Sequence, residues 1–131
     1  MVITETTYVE KAEQTILAHK NRKNERTGKP MPMVTTTKIR NLLTMATDIY
    51  NEVLNCQVDS LSDEICGRIQ YLKVRFIYEA GREPSVKDFI IKADILKCVD
   101  EIKDNKKQYL LFHKYMEALV AYHRFYGGKD N

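Results

Sequence analysis

The sequence predicts an all-α fold, a small bundle of about five helices. Three observations carry this. Apolar residues recur at three- and four-residue intervals over long stretches, whereas strand-like alternation is nowhere sustained. The 5 glycines and 3 prolines mostly fall between those stretches, where helices must stop. Hydrophobic residues at 44% and charged residues at 30% give an ordinary globular balance, and 131 residues suit one modest core. The expectation is therefore a single domain over 1–131, with 20–34 as a flexible basic loop.

The first helix is predicted over 4–19 from Tyr8, Val9, Ala12, Ile16 and Leu17. It dissolves into a basic run and then Thr27-Gly28-Lys29-Pro30-Met31-Pro32, where two prolines favour extended chain. Thr35-Thr36-Thr37 offers capping hydroxyls to a second helix, striped by Ile39, Leu42, Leu43, Ala46, Ile49, Tyr50, Val53 and Leu54 and ending near Asn55. A third starts at Ser60 or Ser62, carries Ile65, Ile69, Leu72 and Phe76, and closes at Gly81 in a left-handed cap. A fourth is opened by Ser85 and Asp88 as a capping-box-like pair. It runs without a break through Val86, Phe89, Ile90, Ala93, Leu96, Val99 and Ile102. Asp104-Asn105 caps the fifth, which holds Tyr109, Leu110, Phe112, Met116, Leu119, Val120 and Phe125 and stops at Gly127-Gly128. Short turns between five helices favour an up-and-down bundle.

Little in the chain suggests catalysis. Cys56, Cys66 and Cys98 are too widely spaced for a disulfide framework or a metal motif, and read as small apolar helix residues in a reducing cytoplasm. His113 and His123 lie ten apart and cannot form an i, i+4 metal pair; with His19 they read as surface or interfacial histidines. Asp63-Glu64 and Asp100-Glu101 point apart on a helix and read as solvated faces. No glycine-rich phosphate loop follows a strand. The expectation is no enzyme, no cofactor and no metal. The N-terminus looks unlike a signal peptide and no apolar run can span a bilayer, so a cytoplasmic protein without membrane contact is expected.

Charge is more informative in its placement than in its total of +3. Lys20, Arg22, Lys23, Arg26 and Lys29 face only Glu25, giving that segment +4 and leaving the remainder near −1. Arg68, Arg75 and Arg82 recur every seven residues, a step that drifts only about 20° around a helix. Tyr71 and Tyr78 keep the same interval beside them, and Lys73 lies nearby. Arginine forks meet phosphate at two points and stack on rings, so this stripe suits tracking of a nucleic-acid backbone. It equally suits ion pairing with Glu64, Glu79 or acids on neighbouring helices. Lys38 and Arg40 form a second basic patch where the second helix presents its N-terminal amides. Arg124 and Lys129 complement the negative end of the last helix.

Three blocks carry a resemblance. They are Lys38-Ile39-Arg40 after the threonines, Tyr71-Leu72-Lys73-Val74-Arg75-Phe76-Ile77-Tyr78-Glu79-Ala80-Gly81-Arg82 with Val86-Lys87-Asp88-Phe89, and Tyr115-Met116-Glu117-Ala118-Leu119-Val120-Ala121-Tyr122-His123-Arg124-Phe125-Tyr126-Gly127-Gly128. Over residues 35–131 the chain resembles the small subunit of the type III-A CRISPR effector, the Csm complex. The resemblance implies a non-catalytic helical protein of antiviral defence. Such a subunit stacks in several copies beside the other subunits and touches guide RNA and target RNA through sugar and phosphate. The RNA-binding residues it implies are Lys38, Arg40, Arg68, Lys73, Arg75, Arg82, Arg124 and Lys129, while Tyr115 and Tyr122 are expected in the core. Two other readings stay open. One is a helical scaffold that binds only protein. The other is a helix-turn-helix DNA-binding regulator, suggested by the turn between the third and fourth helices.

Overall fold

The computed structural model describes residues 1–130 and contains six α-helices: α1 (Tyr8–Lys20), α2 (Thr36–Leu54), α3 (Asp63–Arg82), α4 (Pro84–Lys92), α5 (Ile95–Ile102) and α6 (Lys106–Phe125). Three predicted caps form as expected. Thr35 accepts from the Lys38 amide, Ser62 from Ile65, and Asn105 from Gln108. The apolar stripes of α2 and α3 turn inward through Ile39, Leu42, Ala46, Ile49 and Val53 and through Ile65, Ile69, Leu72 and Phe76. Helix α6 lies among α1, α2 and α5. It buries Tyr109, Leu111, Phe112, Tyr115, Met116 and Leu119 in one continuous core.

Where one fourth helix was predicted, the structure has two. Asp94 takes left-handed backbone angles (φ 55°, ψ 36°) and turns the chain between α4 and α5. Apolar periodicity continues across the corner, so sequence pattern alone does not register it. Tertiary contacts hold the corner in place: the Tyr115 hydroxyl donates to the Ala93 carbonyl (2.8 Å) and Lys11 reaches the Asp94 carboxylate (2.9 Å). The Tyr115 bond satisfies a carbonyl at the end of α4 that a broken helix leaves unpaired, and the Lys11 pair holds the Asp94 side chain. Helix α5 ends at a second positive-φ residue, Lys103 (φ 51°).

Other boundaries shift for identifiable reasons. Gly81 does not form a left-handed cap; α3 runs through Arg82, and the extended Glu83 with Pro84 at the first position of α4 makes the junction. Ser85 and Asp88 do not form a capping box, since α4 has no side-chain cap and Asp88 is engaged by Lys92, Arg22 and His19. Cys56 lies just beyond α2 rather than on a helix. Segment 20–34 is a hydrogen-bonded turn, with Lys23 and Pro30 bridged and the Asn24 carboxamide capping Arg26 and Thr27. The α2–α3 loop pairs with the α5–α6 loop through the Ser60–Asn105 bridge.

The histidines depart most from expectation: His19, His113 and His123 are all buried. Each has a structural partner that sequence separation concealed. The Thr47 hydroxyl gives its proton to the Leu43 carbonyl and so accepts from His113 Nε2 at 2.8 Å, while Tyr50 stacks on the ring. Of the two terminal tyrosines, Tyr115 is fully buried and Tyr122 partly so.

Two substitutions test this account of the corners. Tyr115→Phe leaves the buried Ala93 carbonyl unpaired and should lower unfolding free energy by about 1–3 kcal/mol in urea denaturation. Lys103→Gly relieves a positive φ and should raise it by about 1 kcal/mol, read from the denaturation midpoint.

Candidate nucleic-acid interface

Helices α2 and α3 pack side by side and leave a groove along their outer seam. Its wider part, about 370 Å³, is lined by Lys38, Asn41, Met45 and Asp48 of α2 and by Arg75, Glu79 and Arg82 of α3. A shallower continuation toward the start of α3 adds Arg68 and Tyr71. The seven-residue spacing of Arg68, Arg75 and Arg82 therefore has a structural meaning. All three guanidiniums line one seam, and Lys38 meets them from the opposite wall.

Most of these cations already have partners. Arg68 pairs with Glu52 across the seam and donates to the Asp48 carbonyl (3.4 Å). Lys38 pairs with Glu83 at the α3–α4 junction. Arg82 reaches Glu79 at 3.6 Å and lies over the Tyr78 ring. The ion-pairing reading thus holds for Glu79 and for acids on other elements, whereas no pair joins the arginines to Glu64 among the described residues. Arg75 differs. It is exposed, lines both parts of the groove, and makes no ion pair among the described residues.

The remaining predicted residues lie elsewhere. Lys73 points to α5, 2.7 Å from Asp100. That pair also shows that Asp100 is more than solvated surface, and its neighbour Glu101 accepts from the Val2 amide (2.8 Å). Arg40 is exposed on α2, two residues and hence about 200° around the helix from Lys38. Arg124 is exposed on the last turn of α6. Lys129 comes back to the entry of α2, its carbonyl accepting from the Thr36 amide at 2.8 Å. The structure thus gathers Lys38, Arg68, Arg75 and Arg82, and leaves Arg40, Lys73, Arg124 and Lys129 outside the groove.

Sequence reasoning identified no apolar surface stripe, yet the outer side of α3 has one. Tyr71, Val74 and Tyr78 are 64%, 56% and 63% exposed, and Ile77 lies beside them. Its spacing of three and then four residues is helical and legible, but buried and exposed apolar stripes look alike in sequence. Among the described residues, no group of three or more His, Cys, Asp or Glu side chains is placed to hold a metal ion. No helix there is long and apolar enough to cross a membrane.

Comparison with known proteins gives the groove its context. A family model described as "Csm2 Type III-A" matches residues 13–129. The chain belongs to this family. It is 42% identical over 129 residues to the CRISPR system protein Csm2 of Streptococcus thermophilus, covering 98% of each chain. It is 46% identical over 95 residues to the Enterococcus italicus Csm2, covering 71% of this chain and 68% of the relative. With the Mycobacterium tuberculosis Csm2 it shares 37% over 97 residues, or 74% and 78% of the two chains. The resemblance to the type III-A small subunit is borne out, and extends N-terminally beyond residue 35, where the sequence blocks had ended.

The Arg68–Glu52 pair at the groove and the Lys73–Asp100 pair outside it are both open to solvent and should matter little to folding. Arg68→Ala and Lys73→Ala are each expected to change unfolding free energy by less than about 1 kcal/mol in urea denaturation. That leaves both variants usable for binding measurements.

Proposed function

We propose that this protein is the non-catalytic small subunit of a cytoplasmic type III-A CRISPR effector complex, and that its α2–α3 groove holds the phosphate backbone of target RNA within the guide–target duplex. The observation that carries this is Arg75, a guanidinium midway along the groove with no carboxylate partner among the described residues. Arg68, Arg82 and Lys38 extend the positive edge on either side of it. Their own partners are the exposed Glu52 and the half-buried Glu79 and Glu83, none of them fully withdrawn from solvent, so an incoming phosphate can compete for the cations. Tyr71 and Tyr78 bound the same wall and offer rings for stacking.

A subunit that serves any guide must accept any target sequence, so contacts to backbone and shape suit the task better than base-edge readout. The groove presents four cations against the carboxylates of Asp48 and Glu79, with Asn41 and Thr44 as its neutral polar side chains. Further copies of the chain along one RNA would multiply weak single-site affinity through effective concentration. The exposed face of α3 is a surface on which another subunit or copy can pack.

The protein-only scaffold reading has its own support, because Arg68, Lys73 and Lys38 are all engaged in ion pairs. The helix-turn-helix reading has less. Val86, Phe89 and Ile90 of α4 are buried, which leaves few side chains for a DNA groove.

Binding of the full chain to a mixed-sequence single-stranded RNA, followed by fluorescence anisotropy across a salt series, separates these readings. Affinity should fall steeply with salt and be indifferent to sequence. Arg75→Ala should weaken binding and reduce the logarithmic salt slope by about 0.7, the value for one lost phosphate contact on a single strand. The double charge reversal R75E/R82E should abolish binding. Unchanged RNA affinity in R75E/R82E, with loss of co-purifying partner proteins, would instead establish the scaffold. Tight binding to one duplex DNA sequence would establish the regulator.

A further inference from the structure

Segment 20–34 meets the bundle near its start through Arg22, which pairs with Asp88 of α4 (3.1 Å), and at its end through the peptide units on each side of Val34, both held by buried histidines. The Val34 amide donates to His19 Nε2 at 2.8 Å. The Val34 carbonyl accepts from His123 Nε2 at 2.6 Å. These two bonds fix opposite tautomers. His19 must carry its proton on Nδ1, which donates to Asp88 at 2.7 Å; His123 must carry its proton on Nε2. Both rings are fully buried, and His123 Nδ1 is buried with no hydrogen-bond partner among the described residues. Gly128 lies directly on the His123 ring, where an added Cβ would fall 2.1 Å from it.

We propose that His19 and His123 form a proton-sensitive latch, which holds the basic 20–34 segment against the bundle while both rings are neutral and releases it on protonation. Each protonation breaks the arrangement for a different reason. A proton on His19 Nε2 would face the Val34 N–H, donor against donor. A proton on His123 Nδ1 would be buried without an acceptor, against Gly128.

The surrounding charges are mixed. From α4, Asp88 attracts a proton to His19, but its carboxylate is shared with Lys92 (2.5 Å) and with Arg22 (3.1 Å). Burial works against the Asp88 charge, yet Lys92, His19 and Arg22 together hold its pKa below the ordinary value. Arg22 and His123 oppose a charge on His19, and Arg124 opposes one on His123. Burial dominates at both rings and holds both pKa values below 6.5. The folded latch therefore binds fewer protons than the released one. It is intact above about pH 6.5 and weakens as pH falls below that.

Release would have two local consequences. Lys23, Arg26 and Lys29 would be freed as one basic arm beyond Arg22, which Asp88 still holds, and the entry into α2, where Val34 precedes the Thr35 cap, would lose its anchor. The latch does not depend on the proposed RNA contact, and its test uses no RNA.

The experiment is amide hydrogen exchange on the isolated full chain between pH 7.5 and 5.0, expressed as protection factors to remove the intrinsic pH dependence. Protection at Val34, and at the Asn24, Gly28 and Met31 amides of the turn, should fall while α2 and α6 stay protected. The fall should reach up to about tenfold per pH unit for each ring between its depressed and ordinary pKa. His123→Gln supplies an amide donor to the Val34 carbonyl without a titrating ring, and should move the opening to lower pH. Segment protection that does not change down to pH 5.0, or that is lost only together with α2 and α6, would overturn the latch. Either result can be read from the unmodified chain, whatever the folding of the variant.

Discussion

Helix α6 must be buried on several sides at once, and the rest of the fold is arranged to allow it. Tyr109, Leu111, Phe112, Tyr115, Met116 and Leu119 together cover an arc of about 160°, broader than a minimal apolar stripe of about 100°. Large aromatic side chains bury much apolar surface, but a buried hydroxyl also requires a partner. Tyr109 finds it in the Ala46 carbonyl of α2 at 2.5 Å, and Tyr115 finds it in Ala93 at the α4–α5 corner. Those two bonds tie the central helix to opposite parts of the shell. Burial also raises the pKa of both phenols well above the ordinary value, so they remain donors throughout the useful pH range.

With α2 committed inward on its α6 side, its other edge meets α3, and the groove follows from the geometry of that seam. Arginines at seven-residue spacing on α3 lie along the seam because Leu72 and Phe76, on the neighbouring stripe, are committed to the core. The groove is thus a by-product of packing that the arginines occupy. Its electrostatics are set by which acids fall within reach, and Arg75 is distinguished by making no ion pair among the described residues.

The end of the bundle that holds Lys38, Glu83 and Lys129 is also the end where segment 20–34 is pinned. Core burial there has trapped two imidazoles against one stretch of backbone. A neutral imidazole can both donate and accept, so it serves as an adaptor between a helix and an irregular segment; a charged one can only donate. The same burial that stabilises the joint makes it sensitive to protons.

The sequence by itself determined the helical class, the three side-chain caps, the buried stripes of α2 and α3, and the helical alignment of Arg68, Arg75 and Arg82. These are local properties, set by 3.6-residue periodicity and by side chains within one turn of their backbone partners. Only the tertiary structure decided the rest. The α4–α5 break depends on Tyr115, Lys11 and a left-handed Asp94, and apolar spacing runs through it unchanged. The burial of His19, His113 and His123 depends on partners 69, 66 and 89 residues away. The division of the basic residues into groove-lining and paired-elsewhere depends on which helices become neighbours. A helix carries its own hydrogen bonds and so is written in local sequence, whereas a groove, a corner or a buried ion partner is created when separate helices meet.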